Sequence, residues 1–433
     1  MNSSSKLILG VVILAVTIQW RLYSLNLWPV ANILPPLQPF PSNDSRLTGK
    51  VEIIGKGDLL GPESLVLGNY AGKEVLFAGL TDGRIVRIEE TTENNNRSDL
   101  SWVSLVRTGS IPLSDSTSCG KGWFADTSNT EAICGRPLGM QLVKRSTVDP
   151  SHSDDSSTTQ EDEDVLVIAD PYIGLLMITG IYEDTAMRHI LATRAKTDPE
   201  DTHFHLLNGI VQAPDGSLYI TETSQTFQRR RIFYAALDGK PAGRLMRYTK
   251  ETGQVEVVST GIFMANGIAL SYDQKYLIVV AGVQVLKYSL QARAMEPEPF
   301  IYAMPGTGDN LHTAGRLPTG EVRDCYWFGL GSKYSRPFSL LNAVSGQPFI
   351  KSIIGALVPY KNFVAAIPKF SALAVFDAAT GDLIEIYRDV TNVAPWLSEA
   401  TIFGEYLYLG SWFNNYLARV KVEDLKYNSS SLS

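Results

Sequence analysis

Two asparagine–glycine pairs head apolar runs 58 residues apart, Asn208 in HLLNGIVQA and Asn266 in FMANGIALS. Asn-Gly between apolar residues ordinarily signals a hairpin turn. Here a polar turn follows each phrase, at Pro214-Asp215-Gly216 and Tyr272-Asp273-Gln274, and another apolar run follows that. Each asparagine therefore opens a strand. A third polar pair, Asp309-Asn310 in PGTGDNL, comes 43 residues after Asn266, and Glu63 in LLGPESLVL stands directly before the first such strand. Two carboxylates and two or three amide oxygens, with no cysteine or histidine among them, suit a hard cation, and Ca2+ accepts irregular oxygen shells of this kind. One such motif alone is a turn; four of them, each ahead of a strand, point to ligands. His205 lies three residues before Asn208 and His312 two after Asn310. Either suits a general base beside a substrate held on the ion.

Residues this far apart in sequence meet only if the elements that carry them share an axis. From Val51 onward short strands rich in Val, Ile and Tyr alternate with DG, TG and GQ turns, as in KEVLFAGLTDGRIVRI and KYLIVVAGVQVLKYSL, which argues an all-β chain. The units recur at roughly 45 to 60 residues, the period of four-stranded propeller blades. The pattern predicts a six-bladed β-propeller over residues 51–424, with the runs around Tyr326 and Ala365 as halves of one interrupted blade. The innermost strand of each blade runs along the central axis, so residues at equivalent ends converge on one hub. The interruption, residues 332–360, is apolar and partly helix-like, and either caps one face or touches a membrane. A second insertion, residues 146–164, is polar and acidic and reads as a solvated loop.

The amino terminus is of another kind. Leu7 to Ile18 is uninterruptedly apolar, with Lys6 before it and Trp20 and Arg21 after it. Residues 1–25 read as an uncleaved signal anchor or a cleaved signal peptide, residues 26–50 as a proline-rich stalk (ILPPLQPFP), and residues 425–433 as a tail. Either reading delivers the body of the chain to the secretory lumen. The expectation is a single-pass type II protein of the endoplasmic reticulum, other endomembranes or the plasma membrane, with a lumenal or extracellular propeller, or a secreted protein if the segment is cleaved. Cys119 and Cys134 bracket a polar loop at a spacing that suits a disulfide in an oxidising compartment, and Cys325 in DCYWFGL reads as a buried thiol. Asn43, Asn96 and Asn428 head glycosylation sequons. A net charge of −7 with no basic stripe argues against a nucleic-acid partner.

The ordered phrases ICGRPLGM, VLVIADPYIGLLMI, SLYITETSQTFQRRR, GRLMRYTKETGQ and ANGIALSYDQKYLIVVA resemble the strictosidine synthase-like family, in its adipocyte plasma membrane-associated protein and hemomucin branch, from about Leu59 to Val422. The resemblance implies a short membrane anchor and a lumenal or extracellular six-bladed propeller, distantly similar to paraoxonases and gluconolactonases, which hold a catalytic Ca2+ at the hub. By motif, Glu63, Asn208, Asn266 and Asp309 match the calcium ligands, Asn310 is a possible fifth, and Cys119 and Cys134 match the family's disulfide. Three departures matter. The glutamate of strictosidine synthase is matched by Ser398, with Glu399 beside it, which argues against alkaloid-forming condensation. RPLGM lacks the paraoxonase histidine. Gly209 replaces the aspartate of a second calcium site, so one metal is expected. Asp170 and Glu399 are further candidates for the base, and QRRR at Arg229 to Arg231 reads as a solvated or carboxylate-paired blade edge. The resemblance and the residues together imply a Ca2+-dependent hydrolase of aryl esters or lactones, tethered to a membrane; the alternative is a non-enzymatic binding or adhesion propeller with a structural Ca2+.

Overall fold

In the computed structural model, which describes residues 3–40, 45–92, 98–115, 117–119, 130–151, 162–183, 185–197 and 200–426, six sheets follow one another around a common axis. The first blade is made by Ser64–Tyr70, Lys73–Gly79, Arg84–Thr92 and Ser98–Arg107, and each later blade has the same four antiparallel strands; blade three is extended by Arg194–Lys196, parallel to Gln254–Ile262, and Thr202–His203. The innermost strands are Ser64–Tyr70, Gly139–Lys144, Leu207–Gln212, Ala265–Leu270, Gly306–Arg316 and Leu397–Phe403. Blade six takes its outermost strand from the other end of the chain. Glu52–Ile54 pairs antiparallel with Leu417–Lys421, so the ring closes by hydrogen bonds between the two termini of the propeller. Closure removes the free edge that would otherwise remain exposed.

The core lies between neighbouring blades rather than at the axis. Strands buried on both faces, such as Asp164–Asp170 and Gly174–Thr179, are continuous apolar runs and not alternating ones, because each blade is sandwiched by the next. Blade five is interrupted as expected, with Val322–Lys333 as its second strand, but its third is Ala372–Asp377; Ala365, expected in that half of the blade, lies in the helix Tyr360–Ala366.

The helices gather on one side. They are α1 (Ser3–Leu25), α2 (Thr130–Cys134), α3 (Ile232–Asp238), α4 (Leu340–Ser345), α5 (Pro348–Leu357) and α6 (Tyr360–Ala366). The segment Ser5–Leu25 within α1 is long and apolar enough to cross a membrane. A disulfide joins Cys119 to Cys134 with the Cα atoms 5.9 Å apart, and Cys325 is free and buried. The apolar insertion forms α4 and α5 and ends where α6 begins, and these helices with α3 make a cap; Phe227, Tyr234, Leu237 and Ala356 pack there against Leu22 and Leu27.

One expectation needs correction. Residues 26–40 and 45–50 do not stand off as a spacer. Val30 N–H donates to Asp238 O (2.8 Å), Asn32 N–H to Ser345 O (2.9 Å) and Arg336 N–H to Gln38 O (2.9 Å), while the Tyr334 hydroxyl donates to Pro35 O. The prolines keep the backbone extended without donors of their own, so its carbonyls are free to accept from the cap while Leu27 and Leu47 bury their side chains. The segment is a strap. Asn43, Asn96 and Asn428 lie outside the described residues, as do residues 152–161 of the acidic insertion.

A hub of paired oxygens and two guanidinium groups

The two Asn-Gly pairs sit where the ladder is broken. In blade three, Leu207 faces Glu222 and Ile210 faces Ile220, so Asn208 and Gly209 together oppose Thr221. The same doubling recurs at Asn266-Gly267 opposite Val280, at Asp309-Asn310 opposite Gly329, and at Ser398-Glu399 opposite Gly410. A bulge of this kind re-aims a side chain that the regular pleat would send into the sheet. The glycines serve the neighbouring blade. A Cβ on Gly209 would lie 2.9 Å from Asn266 O, and one on Gly267 2.5 Å from Asp309 O. The asparagine faces the hub, and the glycine lets the next blade's backbone come close.

Hydrogen bonds fix the candidate ligands in place. Asn208 is held by its amide, which donates to Thr223 Oγ1 at 3.1 Å, and its Oδ1 is buried with no partner. Asn266 Oδ1 is likewise buried and without a partner, while its side chain bonds Asp309. Asp309 is buried; desolvation first, then Glu63 and Glu399, push its carboxyl well above the usual carboxylate range, against the Asn266 hydrogen bond and Arg229. Asn310 uses its amide as a donor, to Glu399 Oε2 at 3.2 Å and to Glu63 O at 3.3 Å. Glu63, placed just before the first inner strand, donates its N–H to Gly79 O (3.1 Å), and its backbone oxygen also accepts from Ser398 Oγ at 2.6 Å.

Two arginines share this hub: Arg229, which the sequence reading placed at a blade edge, and Arg136, to which it gave no role. Arg136 is fully buried, and its Nη2 is hydrogen-bonded to Glu63 Oε2; Arg229 Nη2 stands 3.8 Å from the same oxygen and pairs with Glu131 through Nη1 at 2.9 Å. The QRRR run is thus carboxylate-paired at its first member, but at the hub and not at a blade edge. Burial, and then Arg229, work against the charge of Arg136; Glu131 and Glu63 raise Arg229 in spite of its burial. The disulfide explains how Arg136 arrives. Cys134 ends α2 two residues earlier, its carbonyl accepts from Gly109 N–H (2.9 Å), and Glu131 of the same helix holds both Arg229 and the Tyr172 hydroxyl (2.5 Å). Asp170 belongs to this scaffold: its carboxylate accepts from Thr108 Oγ1, Arg136 N, Tyr172 N and Ile173 N at 2.7–3.1 Å. So many donors leave it a structural anchor.

The structure separates the two histidines. His312 Nε2 lies 3.1 Å from Glu399 Oε1, which also accepts from Leu65 N–H at 2.6 Å. Burial disfavours the imidazolium, but the attraction and hydrogen bond of Glu399 outweigh it and hold His312 above its ordinary value. His205 turns the other way. Its Nδ1 meets His203 O at 3.3 Å and its N–H donates to Glu222, which pairs with Arg244. Ser398-Glu399 occupies the position of the asparagine pairs in blade six, and the signal was available: a polar pair between apolar residues, followed by a turn and a tyrosine-rich strand.

Family models match two stretches of the chain. The strictosidine synthase model matches residues 208–292, starting at Asn208, and the amino-terminal model of strictosidine synthase-like proteins matches residues 39–88. The strictosidine synthase-like 2 protein of Arabidopsis thaliana is 30% identical over 327 residues, 71% of this chain and 73% of that one. This chain belongs to the strictosidine synthase-like family. The adipocyte plasma membrane-associated protein of Gallus gallus is 28% identical over 401 residues, covering 91% of this chain and 83% of that one. Among solved structures, a gluconolactonase from Xanthomonas campestris is 12% identical with a TM-score of 0.49, covering 90% of this chain and 98% of that one. Within the family, Ser398 at the glutamate position is tied through its hydroxyl to Glu63 O and has no carboxylate to offer.

Proposed function

We propose that this strictosidine synthase-like protein is a membrane-tethered, type II, Ca2+-dependent hydrolase of aryl esters or lactones, with its propeller on the lumenal or extracellular side. The observation that carries this reading is the pair of orphaned buried oxygens, Asn208 Oδ1 and Asn266 Oδ1. Each sits on a bulge of an innermost strand, and Asn266 bonds the buried Asp309, on which the Glu63 charge acts. A buried carbonyl oxygen without a partner costs about 1–3 kcal/mol, and a hard cation removes that cost while neutralising Asp309. The donors are all oxygen, which fits Ca2+. Glu63 would share its carboxylate between the ion and Arg136, and Asn310, whose amide points to Glu399, would contribute through Oδ1 only. A bound Ca2+ supplies Lewis acidity toward a carbonyl oxygen.

The chain's own groups do the rest. Glu399, as a carboxylate, can only accept, so His312 donates Nε2–H to it and keeps its lone pair on Nδ1. That nitrogen is the base in this reading, set to take a proton from water, with Glu399 orienting the ring. His205, whose contacts run outward, drops out. The burial of Glu63, Asn208 and Asp309 beneath two arginines also favours a second reading, a binding or adhesion propeller whose Ca2+ is structural.

Hydrolysis of phenyl esters and of lactones by the full-length chain, with calcium, with excess chelator and after calcium is restored, tests the first reading. Turnover that disappears with chelator and returns with calcium supports it. No turnover in a folded, calcium-loaded sample favours the binding propeller.

A further inference from the structure

The cap has a packed face and a face that nothing covers among the described residues. In α5, Lys351, Gly355 and Ala356 are buried against Leu22, Leu27 and Val30 and against Leu237 of α3, while Phe349 is 77% exposed and Ile350 and Leu357 are nearly half exposed. An isolated apolar side chain on a surface is ordinary; a helix whose outward face is apolar calls for a cover. The neighbouring helix indicates what that cover is. The span Ser5–Leu25 holds 21 residues, so at 1.5 Å per residue it is about 30 Å long, the thickness of a bilayer's hydrocarbon core. Its last turns are the part that docks on the cap: Leu22 is buried there and Ile18 and Leu25 partly so, against Ala356 and Ile354 of α5. Exposed Trp20, Tyr23 and Trp28 mark the same level, and such aromatic rings settle at a membrane–water interface. The exposed side of α5 therefore lies at the height where the spanning helix leaves the lipid.

We propose that the outer face of α5 is seated in the lipid interface, and that, given the hydrolase reading above, the ester or lactone reaches the hub from the bilayer. The hub is under this cap. Met264, two residues before Asn266, packs in the cluster that holds Leu22 and Leu27, and Arg229, at Glu63, opens the turn into α3. Interfacial seating by an apolar helix face scales with the area it buries, and continuity with a spanning helix fixes its depth.

The test uses the full-length chain in lipid nanodiscs with single thiols at Phe349→Cys and Leu357→Cys, and Val322→Cys as reference. Val322 is 87% exposed at the end of blade five remote from the cap. The native thiol Cys325 is buried and Cys119 is bonded to Cys134, so only the new cysteine takes an environment-sensitive fluorophore. The expected result is blue-shifted emission at 349 and 357 that is lost when the lipids carry an acyl-chain nitroxide, with Val322→Cys quenched by aqueous iodide alone. Labels at 349 and 357 that iodide reaches as easily as it reaches 322 overturn the proposal. So do labels shielded from both quenchers, which would mean a protein cover such as a second copy. If one variant fails to fold, the other carries the measurement. No substrate is involved, so seating in lipid without ester turnover would remove the hydrolase reading and leave the membrane face intact.

Discussion

The inner strands of blades one and two keep unbroken register with their neighbours, Ser64 to Tyr70 against Gly79 to Lys73 and Gly139 to Lys144 against Ala169 to Asp164. Those of blades three to six each carry a doubled position two to four residues from their start. The two halves of the ring therefore furnish the hub by different means. A bulged strand turns its own side chain toward the axis, giving Asn208, Asn266, Asp309 and Glu399. A regular strand cannot, and its blade contributes from the chain just ahead of it, giving Glu63 and Arg136. Bulges supply short, rigid oxygens; the entry segments supply a long charged pair, Arg136 on Glu63, that bridges blades one and two.

The largest effect should come from breaking that pair. Arg136→Ala leaves Glu63 buried and, in chelator, without its hydrogen-bonded cation, a loss of about 3–5 kcal/mol for a buried ion pair deprived of one partner. Denaturant titration of the chelated protein measures it. A loss under about 1 kcal/mol would mean that Glu63 is satisfied by water or by Arg229, and that the entry segments merely line the hub.

The bulged half is tested by the ion. Calcium at a hundredfold excess over its dissociation constant should stabilise the native protein by about 2.7 kcal/mol through mass action, read as a rise in unfolding midpoint. In Asn208→Leu/Asn266→Leu, which removes both orphaned oxygens at similar volume, that increment should vanish. Equal stabilisation of the double variant would move the ion away from the bulges.

The division between the halves also explains what could be read from the chain. The Asn-Gly pairs were legible because one blade's solution recurs in the next, and two copies betray a role that a single turn motif hides. Ring closure by Glu52–Ile54, and the bulges themselves, leave no trace in one strand's pattern, since a doubled position shows only against its partner. Arg136 was passed over and Arg229 misplaced for a similar reason. Their partners, Glu63 and Glu131, are far away in sequence, and a basic residue in an arginine run looks like surface. The strap was misread because proline spacing gives extension, and only the cap shows what the extension lies on.

Smaller effects should come from crowding the inter-blade contact. Gly267→Ala sets a methyl group 2.5 Å from Asp309 O, closer than Gly209→Ala sets one to Asn266 O at 2.9 Å. Overpacking of this order costs about 1–3 kcal/mol, so both variants should be destabilised, Gly267→Ala the more. Thermal or denaturant midpoints of the two variants give the order. Equal or reversed losses would show that the bulges flex independently of the blades that press on them.

The smallest expected effect is none at all, and it sharpens the comparison from inside one blade. Cys325 faces Ala314 at the far end of the inner pair of blade five, beyond the doubled position at Asp309-Asn310 and beside a separate register shift between Ala314 and Arg316. Burial pushes its thiol up to about 11, so at pH 8 only about a thousandth is thiolate, the form that alkylates. Because the folded value lies above the ordinary one, the thiol's contribution to stability is complete below the unfolded pKa and is lost as pH rises toward 11. Alkylation at pH 8 should therefore be slow, and chelating calcium should leave its rate unchanged, since emptying the bulge relaxes only the hub end of the strand. A rate that climbs on chelation would show that the ion holds the whole blade in register, and the hub end of the strand and its far end would then differ in geometry without independence.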